Sequence, residues 1–231
     1  MPATHTDKAF EKDLQLLREK LLAMGARVEE QIANSIRALT ERDDALCDEV
    51  RTNDRVVNVL EVEIDELCRK ILALRQPAAS DLRFITTALK IVVDLERIGD
   101  LSVNIAERVR DLNAAPAMVF TGGQDVPRLA RLAQEQLRRA LDAFVAGDVF
   151  RAEDVVGGDE HLDALHVKIF NELLAYMMED ARNIRRGTCL LSIAKHLERI
   201  GDHAVNLGEM VIYMVKGTDI RHPRSRAAAG R

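Results

Sequence analysis

The sequence predicts an all-α protein built from two related halves, and three observations carry that prediction. Apolar residues recur every three or four positions along most of the chain, as in Leu14, Leu17, Leu21, Met24, Val28, Ile32, Ile36 and Leu39, the period of one helix face. Alternating stretches bounded by turn residues, the mark of half-buried strands, are missing. The hexapeptide Leu-Glu-Arg-Ile-Gly-Asp occurs twice, at 95–100 and at 197–202.

The first helix is expected from about Lys8 to Leu39 and the second from near Asn53 to Leu74, ended by Pro77. Ser80 can cap the third, with Asp81 as its first residue against the positive end of the helix dipole, and the pattern runs on to about Asp111. Two prolines and a glycine pair interrupt the stretch from Asn113 to Pro127, which reads as a connection. Helical spacing resumes through Leu129, Leu132, Leu137, Leu141 and Phe144, pauses at Gly157 and Gly158, continues to Tyr176, and returns from Ile184 to Val215. The expected organisation is therefore a bundle over 1–112, a linker over 113–127, a second bundle over 128–216 and a basic, disordered tail over 217–231.

Composition narrows the function. The 231 residues are 47% hydrophobic and 31% charged, enough apolar material for a core in each half. A net charge of −5, 3% aromatics and no tryptophan supply neither the basic surface nor the stacking platforms of a nucleic-acid binder. No basic-then-apolar leader opens the chain and no run approaches a membrane span, so a cytoplasmic protein is expected. Cys47, Cys68 and Cys189 are odd in number and widely spaced, the pattern of buried free thiols.

The duplicated hexapeptide sits in a longer match, from Asp94 to Glu107 and from His196 to Glu209, at a constant offset of 102 residues. On a helical wheel Glu96, Asp100, Asn104 and Glu107 fall within about 80° of one another, opposite Leu95, Ile98, Leu101 and Ile105. The helix has an apolar face and an acidic stripe. The preceding helix has the same spacing in Asp54, Asn58, Glu61 and Asp65, read against an apolar face of Val56, Leu60 and Leu67. A turn near Ala78 sets Glu96 level with Glu61, and Asp100 level with Val56 between Asp54 and Asn58. In the second half a turn near Arg182 brings Asp163 and His166 level with Glu198, and Asp159 level with Asp202; Asn206 repeats Asn104.

Clustered carboxylates with amides and an imidazole suit hard or borderline cations such as magnesium, manganese, iron or zinc. The alternative is two solvated faces neutralised by Lys90, Arg97, Arg108, Lys195 and Arg199 in weak surface pairs. Gly99 and Gly201 each cost about 1 kcal/mol in a helix interior, which suggests close approach of another backbone or a ligand. Asp94, His196 and His203 lie off the stripe and are expected to pack or pair instead of ligating.

The two Glu-Arg-Ile-Gly-Asp motifs, with Pro77-Ala-Ala-Ser-Asp-Leu-Arg83 leading into the third helix, resemble the PhoU family over about residues 8 to 216. The resemblance implies two tandem, pseudo-symmetric three-helix bundles, each with a Glu/Asp-x-x-x-Asp motif. It further implies a non-enzymatic, cytoplasmic negative regulator of the phosphate-starvation response that links the ATPase subunit of a phosphate ABC transporter to a phosphate-sensing histidine kinase, meeting the membrane only through those partners. Multinuclear metal on the acidic faces is implied too, with Glu96, Asp100 and Asp54 as ligands in one half and Glu198, Asp202 and Asp159 in the other. Asn58, Asn104, Glu107, Asp163, Asn206 and Glu209 are secondary candidates. Self-association as a homodimer or higher oligomer is expected alongside. Two rivals stand beside this reading. One is a metal-independent scaffold whose stripes bind a basic partner. The other is a carboxylate-bridged di-metal enzyme, which needs two Glu-x-x-His motifs where this chain has none, Asp163-Ala-Leu-His166 being the nearest.

Overall fold

A computed structural model describes residues 8–114 and 124–218. Seven α-helices and a short 3₁₀ turn account for these residues, with no strand among them: α1 Lys8–Glu41, α2 Asp44–Arg75, α3 Ala79–Asn113, α4 Asp125–Ala146, α5 Val149–Gly157, α6 Asp159–Glu179, the 3₁₀ turn Ala181–Asn183, and α7 Ile184–Lys216. The expected disorder of the tail lies outside the described residues beyond Thr218, as does the connection at 115–123.

The α1 stripe from Leu14 to Ile36 is buried as its spacing requires. After α1 the chain reverses in two residues. Arg42 takes a left-handed conformation, and the Asp43 N–H donates back to the Ala38 carbonyl at 3.2 Å. The Asp43 side chain then caps α2 by accepting the Ala45 N–H at 2.9 Å. This early cap, with Leu46, Cys47 and Val50 buried behind it, starts α2 at Asp44 instead of the expected Asn53. α2 ends at Arg75, with Gln76 left-handed and Pro77 following. α3 begins at Ala79, and Ser80 is exposed within its first turn. No side chain caps that end; the Ala78 carbonyl accepts the Leu82 N–H at 2.8 Å.

The second half repeats the first with one break. Asp148 caps α5 as Asp43 caps α2, and its N–H donates to the Ala143 carbonyl at 2.9 Å as that of Asp43 does to Ala38. Each of these residues lies 105 positions after its counterpart. The single long α2 is matched by α5 and α6 together, divided at Gly157 and Gly158, where the sequence marks a pause. α4 opens at Asp125, so Pro127 falls in a first helical turn, where its missing N–H costs nothing, and not in the linker.

Each half is a three-helix bundle, α1 with α2 and α3, and α4 with α5–α6 and α7. The bundles are not beads on a string. α3 and α7 run antiparallel along each other, fixed at one level by Arg83 Nε donating to the Met214 carbonyl at 3.0 Å and at another by His203 Nδ1 and Asp94 Oδ1 at 2.7 Å. α1 lies against α4, where Gly25 leaves room for the Leu141 side chain and the Gln134 amide donates to the Glu29 carbonyl at 3.2 Å. Phe84 of α3 stacks on Phe144 of α4 with centroids 5.3 Å apart, and the Arg18 guanidinium covers Phe84. The buried apolar residues of both halves form one continuous core.

Among the described residues no helix is long and apolar enough to cross a membrane. The thiols of Cys47 and Cys68 are buried and that of Cys189 is half-buried, all free; burial pushes Cys68 up to about 12.

The shared core predicts that the halves unfold together. Phe144→Ala removes a fully buried ring at the junction and is expected to cost about 3–5 kcal/mol in urea unfolding. A single transition should remain, observed with coincidence of far-ultraviolet and tyrosine signals; two separated transitions would contradict the shared core.

Candidate functional site

The acidic stripe of α3 depends on burial of the opposite face. Leu95, Ile98, Leu101 and Ile105 are all buried, which turns Glu96 and Asp100 toward α2. On α2 the buried row is Val50, Val57, Ile64 and Ile71, every seventh residue. The expected apolar face at Val56 is therefore wrong: Val56 is 43% exposed and its neighbours Val59 and Val62 are exposed further still, while Leu60 is half-buried and Leu67 buried. Rolling α2 by one residue still leaves Asp54, Asn58 and Glu61 on the side that meets α3.

In the first bundle Asp54, Asn58, Glu61, Glu96 and Asp100 come together. The Asn58 amide donates to Asp54 Oδ2 at 3.2 Å. The Asp54 carboxyl is held above its ordinary range by burial, with a further push from Asp100, against the pull of the Gln31 and Asn58 amides. Glu96 is raised by burial first, then by the like charges of Asp100 and Glu61. Asp65 lies apart, paired with Arg69 one turn on at 2.9 Å.

The second bundle assembles Asp159, Asp163, Glu198 and Asp202. Burial raises both Asp159 and Asp202, with Asp163 and Glu198 adding to each. His166 on α6, Asn206 on α7 and, in the first bundle, Asn104 on α3 make no hydrogen bond to the clustered carboxylates of their helices; His166 occupies the position that repeats Glu61, 105 residues on.

Neutralisation is slight. Of the five cations expected to screen the stripes, Lys195 meets Glu198 at 2.6 Å and Arg97 reaches Glu96 at 3.8 Å. Lys90 lies over the Tyr213 ring, and Arg108 pairs with Asp111 at 3.0 Å and reaches Glu107, at the far end of the stripe, only at 4.0 Å. Asp54, Glu61, Asp100, Asp159, Asp163 and Asp202 have no ion pair among the described residues. Two buried oxygens near the clusters, Gln31 Oε1 and Asp159 Oδ1, also lack a hydrogen-bond partner. As the side chains lie, no three carboxylates, imidazoles or thiols among the described residues clasp a single point.

Off the stripe, Asp94 pairs with His203 across the bundle interface, and His196 packs beside Ser192 with its ring held below the usual imidazole range by burial and by Arg199 and Arg108. The motif glycines face side chains and not another backbone. A Cβ on Gly99 would lie 3.2 Å from Gln31 Oε1, and one on Gly201 would lie 2.7 Å from Leu162 and 3.3 Å from Gln136 Oε1.

Gln31 and Gln136 are the residues that sequence reasoning passes over. They are buried amides on largely apolar helix faces, and they share the 105-residue offset of the first two helices of each half. A search for that second offset would have marked them.

A carboxylate whose pKa is raised on folding holds its proton more tightly folded than unfolded. Between the ordinary value of about 4 and the raised value, stability therefore falls as pH rises. Glu96→Gln/Asp202→Asn removes two such charges. In chelator at pH 7 this variant is expected to melt about 1–2 °C above the unaltered protein. The gap should narrow as pH is lowered toward the ordinary carboxylate range, and calorimetry that shows no gap at pH 7 would refute the strain.

The PhoU domain family matches the chain twice, over residues 21–109 and 126–211, one match in each bundle. A Pseudomonas putida protein named phosphate-specific transport system accessory protein PhoU homolog is 43% identical over 94% of this chain and 85% of its own length. The crystal structure of PhoU from Pseudomonas aeruginosa superposes with a TM-score of 0.85 at 42% identity, covering 90% of this chain and all of that one. The phosphate transport system regulatory protein PhoU from Streptococcus pneumoniae does so with a TM-score of 0.83 at 28% identity, over 91% of this chain and 99% of its own. By fold, by sequence and by the duplicated motif, the chain belongs to the PhoU family.

Proposed function

We propose that this protein is a cytoplasmic negative regulator of phosphate uptake and of the phosphate-starvation response, acting between the ATPase subunit of a phosphate ABC transporter and a phosphate-sensing histidine kinase. PhoU proteins are accessory regulators and not enzymes, which removes the di-metal enzyme from consideration. The transporter connection is supported by relatives whose names tie them to phosphate-specific transport. The kinase connection rests on the family resemblance.

The observation that carries the site is the sparsely compensated acidic cluster in each bundle. A divalent or trivalent cation, whether iron, zinc, manganese or magnesium, fits it on two grounds. The donors are oxygens with almost no protein cation among them. Buried acceptors are also left open beside them. Asp54, Glu96 and Asp100 would hold metal in one bundle, with Asn58 and Glu61 at its edge; Asp159, Glu198 and Asp202 would do so in the other, with Asp163. Bound metal would neutralise the facing stripes and stiffen each helix pair, a local charge event that biases which partner surface the bundle presents.

The scaffold reading, in which a basic partner surface takes the place of metal, draws support from the Lys195–Glu198 contact. Elemental analysis separates the two. Protein purified without chelator should carry metal that Glu96→Ala/Asp100→Ala and Glu198→Ala/Asp202→Ala each reduce by about half; near-zero metal in all samples would leave the scaffold. For the regulatory role, deletion of the gene should switch on phosphate-scavenging genes in phosphate-rich medium. Unchanged expression would overturn the proposal.

A further inference from the structure

We propose that Gln31 and Gln136 are positioning residues, one per bundle, which hold Asp54 and Asp159 against the motif helix and for which the motif glycines make room. The inference rests on the metal reading of the acidic clusters.

Gln31 is fully buried on α1, and its Nε2 donates to the Val50 carbonyl at 3.4 Å and to Asp54 Oδ1 at 3.5 Å. Gln136 is buried on α4, and its Nε2 donates to the Val155 carbonyl at 3.2 Å and stands close enough to Asp159 to favour its charge. Glutamine, carbonyl and aspartate are each 105 residues from their counterparts. The individual contacts are long, but one arrangement built twice in diverged halves is a selected feature and not a packing accident.

The chemistry explains the residue type. An amide donates to a carboxylate without adding positive charge, so the cluster stays negative and open to a cation. Arginine or lysine at the same place would fill the site with its own charge, and an apolar residue would leave the aspartate unheld. In the second bundle the same amide does one thing more. Val155 is in α5 and Asp159 is the first residue of α6, so Gln136 bridges the break at Gly157 and Gly158 and sets the angle at which α6 brings its acid to α7.

The other end of the amide is the tightest contact at Gly99, and at Gly201 it adds to the closer contact of Leu162. The amide Oε1 lies 3.2 Å from where a Cβ on Gly99 would stand and 3.3 Å in the case of Gly201. Alanine at Gly99 would push the amide and the Asp54 carboxylate, whose Oδ1 lies 3.4 Å away, by a few tenths of an ångström, whereas at Gly201 it would first displace the Leu162 side chain. The motif is thus Glu-x-x-Gly-Asp read together with a glutamine on the first helix of the same bundle.

The test is Mn²⁺ titration of the full chain, freed of metal by chelator, followed by calorimetry and by the Mn²⁺ electron paramagnetic resonance line shape. Gln31→Met should weaken one class of site about 10- to 100-fold and Gln136→Met the other, the usual cost of removing a group that orients a ligand. Gly99→Ala should shift the first class in the same direction by less. Ile64→Val, a buried change ten residues along α2 from Asp54, controls for lost stability and should leave Mn²⁺ binding unaltered. Unaltered affinity in both methionine variants, or equal weakening by Ile64→Val, overturns the positioning role. If the unaltered protein takes up no Mn²⁺, the metal reading fails separately. Hydrogen exchange on the metal-free protein then decides: faster exchange across residues 156–162 in Gln136→Met than in the unaltered chain supports the bridge, and identical exchange refutes it.

Discussion

The antiparallel packing of α3 on α7 is the constraint from which the rest of the architecture follows. Both helices carry the duplicated motif, and both must bury one face in their own bundle and a second against each other. Asp94 with His203 and Arg83 with the Met214 carbonyl register the pair along its length. What is left on each motif helix is a narrow strip that can remain polar, and the carboxylates occupy it. The strip is half-enclosed by α2 in one bundle and by α6 in the other, so the acids lose water without gaining cations. That is the physical origin of the raised Asp54, Glu96, Asp159 and Asp202.

An arrangement that raises four carboxylates works against folding, modestly but in both halves. Surface carboxylates are ordinarily relieved by lysine or arginine one turn away, as Asp65 is by Arg69. The clusters largely lack that relief, although the chain has 33 basic side chains to supply it. Elsewhere the repeat tolerates free exchange of charge: Lys20 bridges to Glu63 at 2.6 Å, and 105 residues later Asp125 bridges to Lys168 at 2.6 Å with the signs reversed. Divergence has swapped charges at this pair and has kept acids at Asp54 and Asp159, Glu96 and Glu198, and Asp100 and Asp202, while Glu61 gives way to His166. This contrast is the strongest physical argument that the clusters serve a ligand and not the fold.

The buried amides belong to the same logic. A glutamine in the middle of an apolar helix face is costly unless its polar atoms are used. Gln31 spends its amide on a carbonyl and a carboxylate of the neighbouring helix and Gln136 on the matching carbonyl, and one acceptor, Gln31 Oε1, is left over. The residues flanking the clusters are thus arranged around the aspartates as much as around the core.

Helix content, the duplication, the pause at Gly157 and Gly158, and the meeting of the two acidic stripes were all legible in the amino-acid sequence. They depend on periodicities of three to four residues and on a repeat, which a linear reading senses directly. The start of α2 was not, because it depends on the Asp43 cap and on Leu46, Cys47 and Val50 finding a core. The exposure of Val56 was not either: a valine is equally apolar on either side of a helix, and only packing against α1 and α3 chose Val57 for the interior. The sequence by itself determined which residues are acidic, where they repeat and on which helices they ride. Tertiary structure alone decided that the two bundles share one core, that Asp94 answers His203 across it, and that Gln31 and Gln136 reach the aspartates, since each depends on helices far apart in the chain lying side by side.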